Sequence, residues 1–195
     1  MYKLSQCELN THFGVFDFFC FNYGNCENDN VLVLKSKKIV EIPTIRIQSA
    51  CFTSEIFRSK DCDCHEQLET SLNIINEDGG MLIYLLQDGR GAGIFLKVQG
   101  MHLSQTENIN TAEAYDKLNI PRDPRAYQRV LEVLQYFEID KVKLLTNNPR
   151  KIAGLAENGI VVDRIPLEIQ PTEDSIDYLT SKKRELGHLF EKFIK

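Results

Sequence analysis

Residues Met81 to Leu86 read Met-Leu-Ile-Tyr-Leu-Leu, between the pair Gly79-Gly80 and the loop Gln87-Asp88-Gly89-Arg90-Gly91-Ala92-Gly93. A run this short and this continuously apolar suits a strand buried on both faces. The chain around it changes period. Leu68, Leu72 and Ile75 recur at helical spacing before the glycine pair, which stops that helix. Upstream, from about residue 13 to 50, β-favouring residues cluster instead: Phe16-Asp17-Phe18-Phe19, Val31 to Leu34, and Ile42 to Ile47.

Downstream, helices are predicted over Ile94–Ser104 and Thr111–Leu118. A third carries Tyr127, Val130, Val133, Leu134 and Phe137, with Asp123 as its cap and Pro124 as its first residue. A strand from Val142 to Thr146 meets another helix start, capped by Asn148 and opened by Pro149. Gly159 closes that helix, and the strand Ile160-Val161-Val162 follows. The expected architecture is mixed α/β, a single domain over 1–195, with a β-rich N-terminal half and βα units in the C-terminal half.

The 195 residues carry a net charge of −5, so general attraction to nucleic acid or to an anionic membrane is excluded, and any anionic ligand needs a local basic cluster. No stretch is apolar enough to span a bilayer, and Met-Tyr-Lys-Leu-Ser-Gln-Cys does not read as a signal peptide; the expected location is the cytoplasm. Six cysteines are too sparse for a disulfide framework. Cys7, Cys20 and Cys26 show no ligand spacing and read as incidental.

Cys51, Cys62 and Cys64 differ, because the pattern Cys-x10-Cys-x-Cys lets two thiols converge from one turn and a third arrive from a strand end. Three sulfur ligands leave a tetrahedral zinc one open position, as in hydrolytic rather than closed structural sites. The bland reading is three reduced, buried cysteines; a closed site completed by His65 is a second alternative. Arg90, Lys97, Arg122, Arg125, Arg129, Arg150 and Lys151 gather near predicted loop ends, where guanidinium forks, glycine-rich turns and helix starts hold phosphate. A solvated charged face is the competing reading.

Read together, these segments resemble GTP cyclohydrolase II. The resemblance runs through Arg46-Ile-Gln-Ser-Ala-Cys51, Asp61-Cys-Asp-Cys-His-Glu-Gln67, Gln87-Asp-Gly-Arg90-Gly and Asn110-Thr111-Ala-Glu113. It continues through Asp123-Pro-Arg125-Ala-Tyr127, Leu145-Thr146-Asn-Asn-Pro-Arg-Lys151, Asp163-Arg-Ile-Pro-Leu167 and the terminal Tyr178-Leu and Gly187-His-Leu. It implies one zinc ion per chain on Cys51, Cys62 and Cys64, and opening of the guanine imidazole ring by water at C8. Pyrophosphate and formate would leave, giving 2,5-diamino-6-ribosylamino-4(3H)-pyrimidinone 5′-phosphate.

GTP or a related purine nucleotide would be held by Arg46, Gln67, Asp88, Gly89, Arg90, Thr111, Thr146 and Lys151. Asp123 matches the proton acceptor, and Arg125 a residue acting at the α-phosphate, where a guanidinium suits charge stabilisation better than nucleophilic attack. Magnesium with the nucleotide and a homodimer are also implied.

Departures from the family pattern gather at this site: Gln48 and Ala50 stand for His and Glu, Asp61 for Arg, His65 for Gly, Asp88 for Glu, and Met101 for a Tyr. A thioether donates no hydrogen bond to a developing oxyanion, so the expectation is ring opening with slow release of formate, leaving a formamidopyrimidine nucleotide. The alternative is a catalytically impaired paralogue that binds zinc and a purine nucleotide in an accessory or regulatory role.

Overall fold

The computed structural model describes residues 1–24, 26–121 and 125–193. Its strands are β1 (Lys3–Thr11), β2 (Gly14–Asn22), β3 (Val31–Ser36), β4 (Thr44–Ser49), β5 (Gly80–Leu85), β6 (Lys141–Leu145) and β7 (Val161–Ile165). They form one sheet in the order β1-β2-β3-β5-β4-β6-β7. The β1, β2, β3 and β5 neighbours pair antiparallel, whereas β5, β4, β6 and β7 are parallel. A mixed α/β architecture with its βα units in the C-terminal half is therefore what forms.

The helices are α1 (Phe52–Glu55), α2 (Cys64–Asp78), α3 (Ile94–Glu107), α4 (Thr111–Lys117), α5 (Gln128–Tyr136), α6 (Pro149–Ala156) and α7 (Ile176–Leu186). On one face of the sheet, Val33, Ile45, Ile47, Ile83 and Leu144 pack with Val130, Val133 and Leu134 of α5 and Leu155 of α6. On the other, Phe16 and Leu82 pack with Leu72 and Ile75 of α2. Burying each such side chain contributes roughly 1.5–3 kcal/mol. Strand β5 meets both clusters through alternate residues, which is why its sequence is apolar throughout.

Two glycines hold this arrangement at its tightest point. Gly79 ends α2 with φ 84°. Gly80 opens β5 with φ 139°, directly opposite Thr44 of β4, where a Cβ would sit 1.9 Å from the Thr44 carbonyl oxygen. No other residue type fits there.

Two elements lie outside the expected pattern. Strand β1 pairs along its whole length with β2, yet its residues are exposed or half-buried, so its polar sequence carries no apolar alternation. Helix α7 buries Leu179 within a run of lysines and arginines that masks its period. A third difference concerns α5, whose N-cap is Tyr127 rather than Asp123. Arg125 first passes against Gly91, where an added Cβ would lie 3.4 Å from the Arg125 backbone nitrogen, and the helix begins only after that. Asp123 and Pro124 lie outside the described residues.

Candidate functional site

The carboxyl ends of β4, β5 and β6 open on one side of the sheet, where ligands of open α/β sheets bind. Cys51 follows β4, Asp88 follows β5 and Thr146 follows β6, and all three line a single cavity of about 440 Å³. This volume is that of a small-molecule site.

Cys51 stands at the start of α1, Cys62 in the following loop, and Cys64 at the first position of α2. Their three sulfurs lie within 4.8 Å of one another, and those of Cys51 and Cys62 are 3.8 Å apart. Zinc–sulfur bonds of about 2.3 Å in a tetrahedron require sulfurs about 3.8 Å apart, so the donor set and its spacing fit zinc. Among the described residues this is the one group of His, Cys, Asp and Glu close enough to hold a metal. The His65 ring pairs with Arg58 and, at 3.1 Å, with Glu69 instead, which removes the closed site that adjacency to Cys64 suggested.

Hydrogen bonds from Cys62 and Cys64, helped by Lys97, hold the Cys51 thiol below its usual range. The same bonds, with burial, push Cys64 well above it, and Cys51 likewise raises Cys62. Lys97 Nζ donates to the Cys51 sulfur at 3.3 Å, to Thr53 Oγ1 at 2.8 Å and to Asp88 Oδ1 at 2.9 Å. Burial disfavours its charge, but Cys51 and Asp88 outweigh that and keep it protonated. Read in the sequence as one of the phosphate-seeking cations, Lys97 is placed by the structure at the thiols.

Of the expected nucleotide residues, Arg90 and Thr111 line the cavity, as does Arg125, the residue expected to act at the α-phosphate; Arg90 adopts φ 58° and lies 5.7 Å from the centre of the Tyr115 ring. Gly89 beside it has φ 59° and accepts from Tyr115 Oη at 3.1 Å, and a Cβ would meet Lys97 at 3.0 Å. Arg46, Gln67, Asp88, Thr146 and Lys151, also on the cavity wall, have hydrogen-bond partners within the protein. Arg46 donates to Gln48, Gln67 and the Leu145 carbonyl at 2.6–3.1 Å. Gln67 in turn donates to Asp63 at 2.6 Å, and Gln48 to Glu55 at 2.7 Å. Burial pushes Arg46 down to about 10, still charged at neutral pH.

Lys151 Nζ donates to the Ile47 carbonyl at 2.7 Å, and burial with Arg46 and Arg125 nearby holds it well below the usual lysine range. Asp88 accepts from Phe52 N at 2.8 Å as well as from Gly89 N and Lys97, so both of its carboxylate oxygens are engaged. Thr146 Oγ1 accepts from Asn148 N at 3.1 Å, and Asn148 caps α6 through Arg150 N at 2.9 Å, as its place before Pro149 suggested. Asn110 and Glu113 form a capping box at α4, a structural use for both. Met101 lines the cavity as well.

A cluster of three thiols able to hold a metal and a group of cationic side chains at the strand ends thus share one cavity, the layout of a hydrolase for an anionic ligand. Comparison with known proteins makes this specific: residues 2–166 match the model of GTP cyclohydrolase II, and the chain belongs to that family. It is 39% identical over 186 residues to the riboflavin biosynthesis protein RibBA of Staphylococcus epidermidis, and 38% identical to the RibBA proteins of Staphylococcus saprophyticus and Staphylococcus aureus. Each match covers 95% of this chain and 47% of the relative, so the chain spans about half the length of those proteins. Among solved structures, a looser likeness joins it to RibBX, a two-domain 3,4-dihydroxy-2-butanone 4-phosphate synthase from A. baumannii. That likeness has a TM-score of 0.44 at 14% identity, covering 87% of this chain and 40% of that one. Among the described residues no helix is long and apolar enough to cross a membrane.

Proposed function

We propose that the chain opens the imidazole ring of GTP by hydrolysis, with one zinc ion on Cys51, Cys62 and Cys64, and releases pyrophosphate. The observation that carries this is the zinc-compatible spacing of three sulfurs in the same cavity as Arg125 and Lys151. A zinc ion there would supply Lewis acidity and a water activated near neutral pH. The remaining work falls to side chains. Arg90 and Arg125 bring positive charge to the triphosphate, Lys151 offers it a hydrogen-bond donor, and Arg125 stabilises charge on the α-phosphate as pyrophosphate leaves. Asp123, outside the described residues, accepts a proton in this reading. Asp88 acts indirectly, by holding Lys97 and the Gly89 turn.

Met101 leaves the later hydrolytic step without a hydroxyl donor at its position, so the formyl group stays on a major share of the product. Magnesium with the nucleotide and a homodimer complete the proposal, both taken from the family. The impaired-paralogue reading draws on that same Met101 and on the internal bonding of Arg46, Gln67 and Lys151. Incubation with GTP and magnesium, followed by mass spectrometry and metal analysis, separates the two. Zinc at one per chain, a ring-opened product, and loss of both in Cys62→Ser support the enzyme; bound zinc with GTP unchanged would establish the paralogue.

A further inference from the structure

The family model matches as far as residue 166, and a wall of the cavity comes from the stretch after it, which holds the Tyr178-Leu and Gly187-His-Leu segments: Tyr178, Ser181, Lys182 and His188 line the same space as Arg125 and Lys151. Resting on the nucleotide reading above, we propose that Lys182 and His188 bind the polyphosphate of the nucleotide, so that α7 and the segment after it complete the site.

Lys182 is a largely buried lysine on the inner side of α7, with its ammonium 4.4 Å from the centre of the Tyr178 ring. The carboxylate it faces, Asp63 Oδ1, is 3.7 Å away, beyond hydrogen-bond reach, and that oxygen has no hydrogen-bond partner among the described residues. A largely buried ammonium whose ion pair with Asp63 is too long for a hydrogen bond keeps its donors for an anion that enters the cavity. Burial works against its charge, but Tyr178, Asp63 and the nearby thiols keep it protonated.

His188 is fixed in place by its neighbours. Leu189 N donates to the Asn147 carbonyl at 2.7 Å, and Arg164 Nη2 donates to the Leu189 carbonyl at 2.8 Å, which fastens the tail to the loop after β6. The His188 Nδ1 is buried and has no hydrogen-bond partner among the described residues. Buried polar atoms of this kind are rare unless a ligand or water meets them. Besides burial, the charges acting on this ring are Lys182, Arg125, Lys151 and Arg90, and together they keep it neutral. Asp174 and Asp177 on the same wall offset part of that charge. A neutral imidazole with its proton on Nδ1 would donate to a phosphate oxygen, and the surrounding cations account for a polyanion rather than a single carboxylate.

Calorimetric titration of the full chain, zinc-loaded, with α,β-methylene-GTP, GMP and inorganic tripolyphosphate tests this. Lys182→Met and His188→Gln should each weaken the triphosphate analogue and tripolyphosphate roughly 10- to 100-fold, the range for hydrogen bonds to charged groups. GMP should change less than about threefold, zinc content should not change, and Lys182→Arg should restore most of the loss. Analogue affinities within about threefold of the parent chain would overturn the proposal. So would equal losses for GMP and analogue accompanied by zinc loss, which would mark a purely structural role. A parent chain that binds tripolyphosphate through these residues but neither nucleotide would refute the GTP reading and leave this inference standing. If Lys182→Met does not fold, His188→Gln decides the matter alone.

Discussion

The ammonium of Lys97 lies 3.3 Å from the sulfur of Cys51, and Asp88 grips it from the other side at 2.9 Å. Three thiolates around a divalent zinc leave one surplus negative charge, and Lys97 is placed to neutralise it. Outer partners of metal ligands typically govern affinity by 10- to 100-fold. Lys97→Met is therefore expected to weaken zinc binding by roughly that factor, read by competition with a chromophoric chelator. Asp88→Asn keeps an acceptor for Phe52 and should cost less. Equal affinity in Lys97→Met and the parent chain would remove Lys97 from the metal site.

Gly80 confronts the Thr44 carbonyl across the β4–β5 pair, where a Cβ would sit 1.9 Å from that oxygen. Gly80→Ala must push two central strands apart and also strain a backbone at φ 139°. The expected cost is more than about 2 kcal/mol in denaturant unfolding. Because Cys51 hangs from the end of β4, zinc affinity should fall with it.

Much of the local structure around this candidate site was legible in the sequence because its residues sit at punctuation. Cys51 ends a strand, Gly79 and Gly80 stop a helix, and Asn148-Pro149 starts one; each is a local signal with a local cause. Lys182 carried no signal of function in the sequence and His188 only its place in the Gly187-His-Leu segment, since what they face depends on α7 folding back over strand ends more than a hundred residues away in sequence, as Cys51 and Arg46 are. Strand β1 was hidden for a different reason: an edge strand held by backbone pairing needs no apolar face. The partners of Asp88 and Lys97 likewise arise only when β5 and α3 meet.

His188 gives the molecule an acid-sensitive element. Burial, with Lys182, Arg125, Lys151 and Arg90 around it, pushes its pKa down to about 3 from an ordinary 6.5. Between those values the unfolded chain binds the proton and the folded chain does not. Stability is thus intact above about pH 6.5 and declines as pH falls toward 3, with a slope of at most about 1.4 kcal/mol per pH unit. Urea unfolding of the parent chain and His188→Asn between neutral and mildly acid pH should show the parent losing more stability on acidification. Parallel curves would show that the ring is not held neutral.

Met101 lies on the cavity wall within α3, and in the reaction proposed above its thioether would offer no proton to the oxygen that becomes negative as the formamide is attacked. A phenol placed there would donate to that oxygen, an interaction made only as charge develops, so it should speed formate release and leave ring opening nearly unchanged. Met101→Tyr is accordingly expected to raise the ratio of diaminopyrimidine to formamidopyrimidine nucleotide about tenfold or more, within the range of a single oxyanion donor. Met101→Phe, with the same ring and no hydroxyl, should leave the ratio where it was. If Phe raises it equally, cavity shape rather than hydrogen bonding governs the second hydrolysis. If the parent chain already releases all its formate, the donor is supplied elsewhere, and Ser104, whose buried hydroxyl has no partner among the described residues on the same wall, becomes the side chain to test.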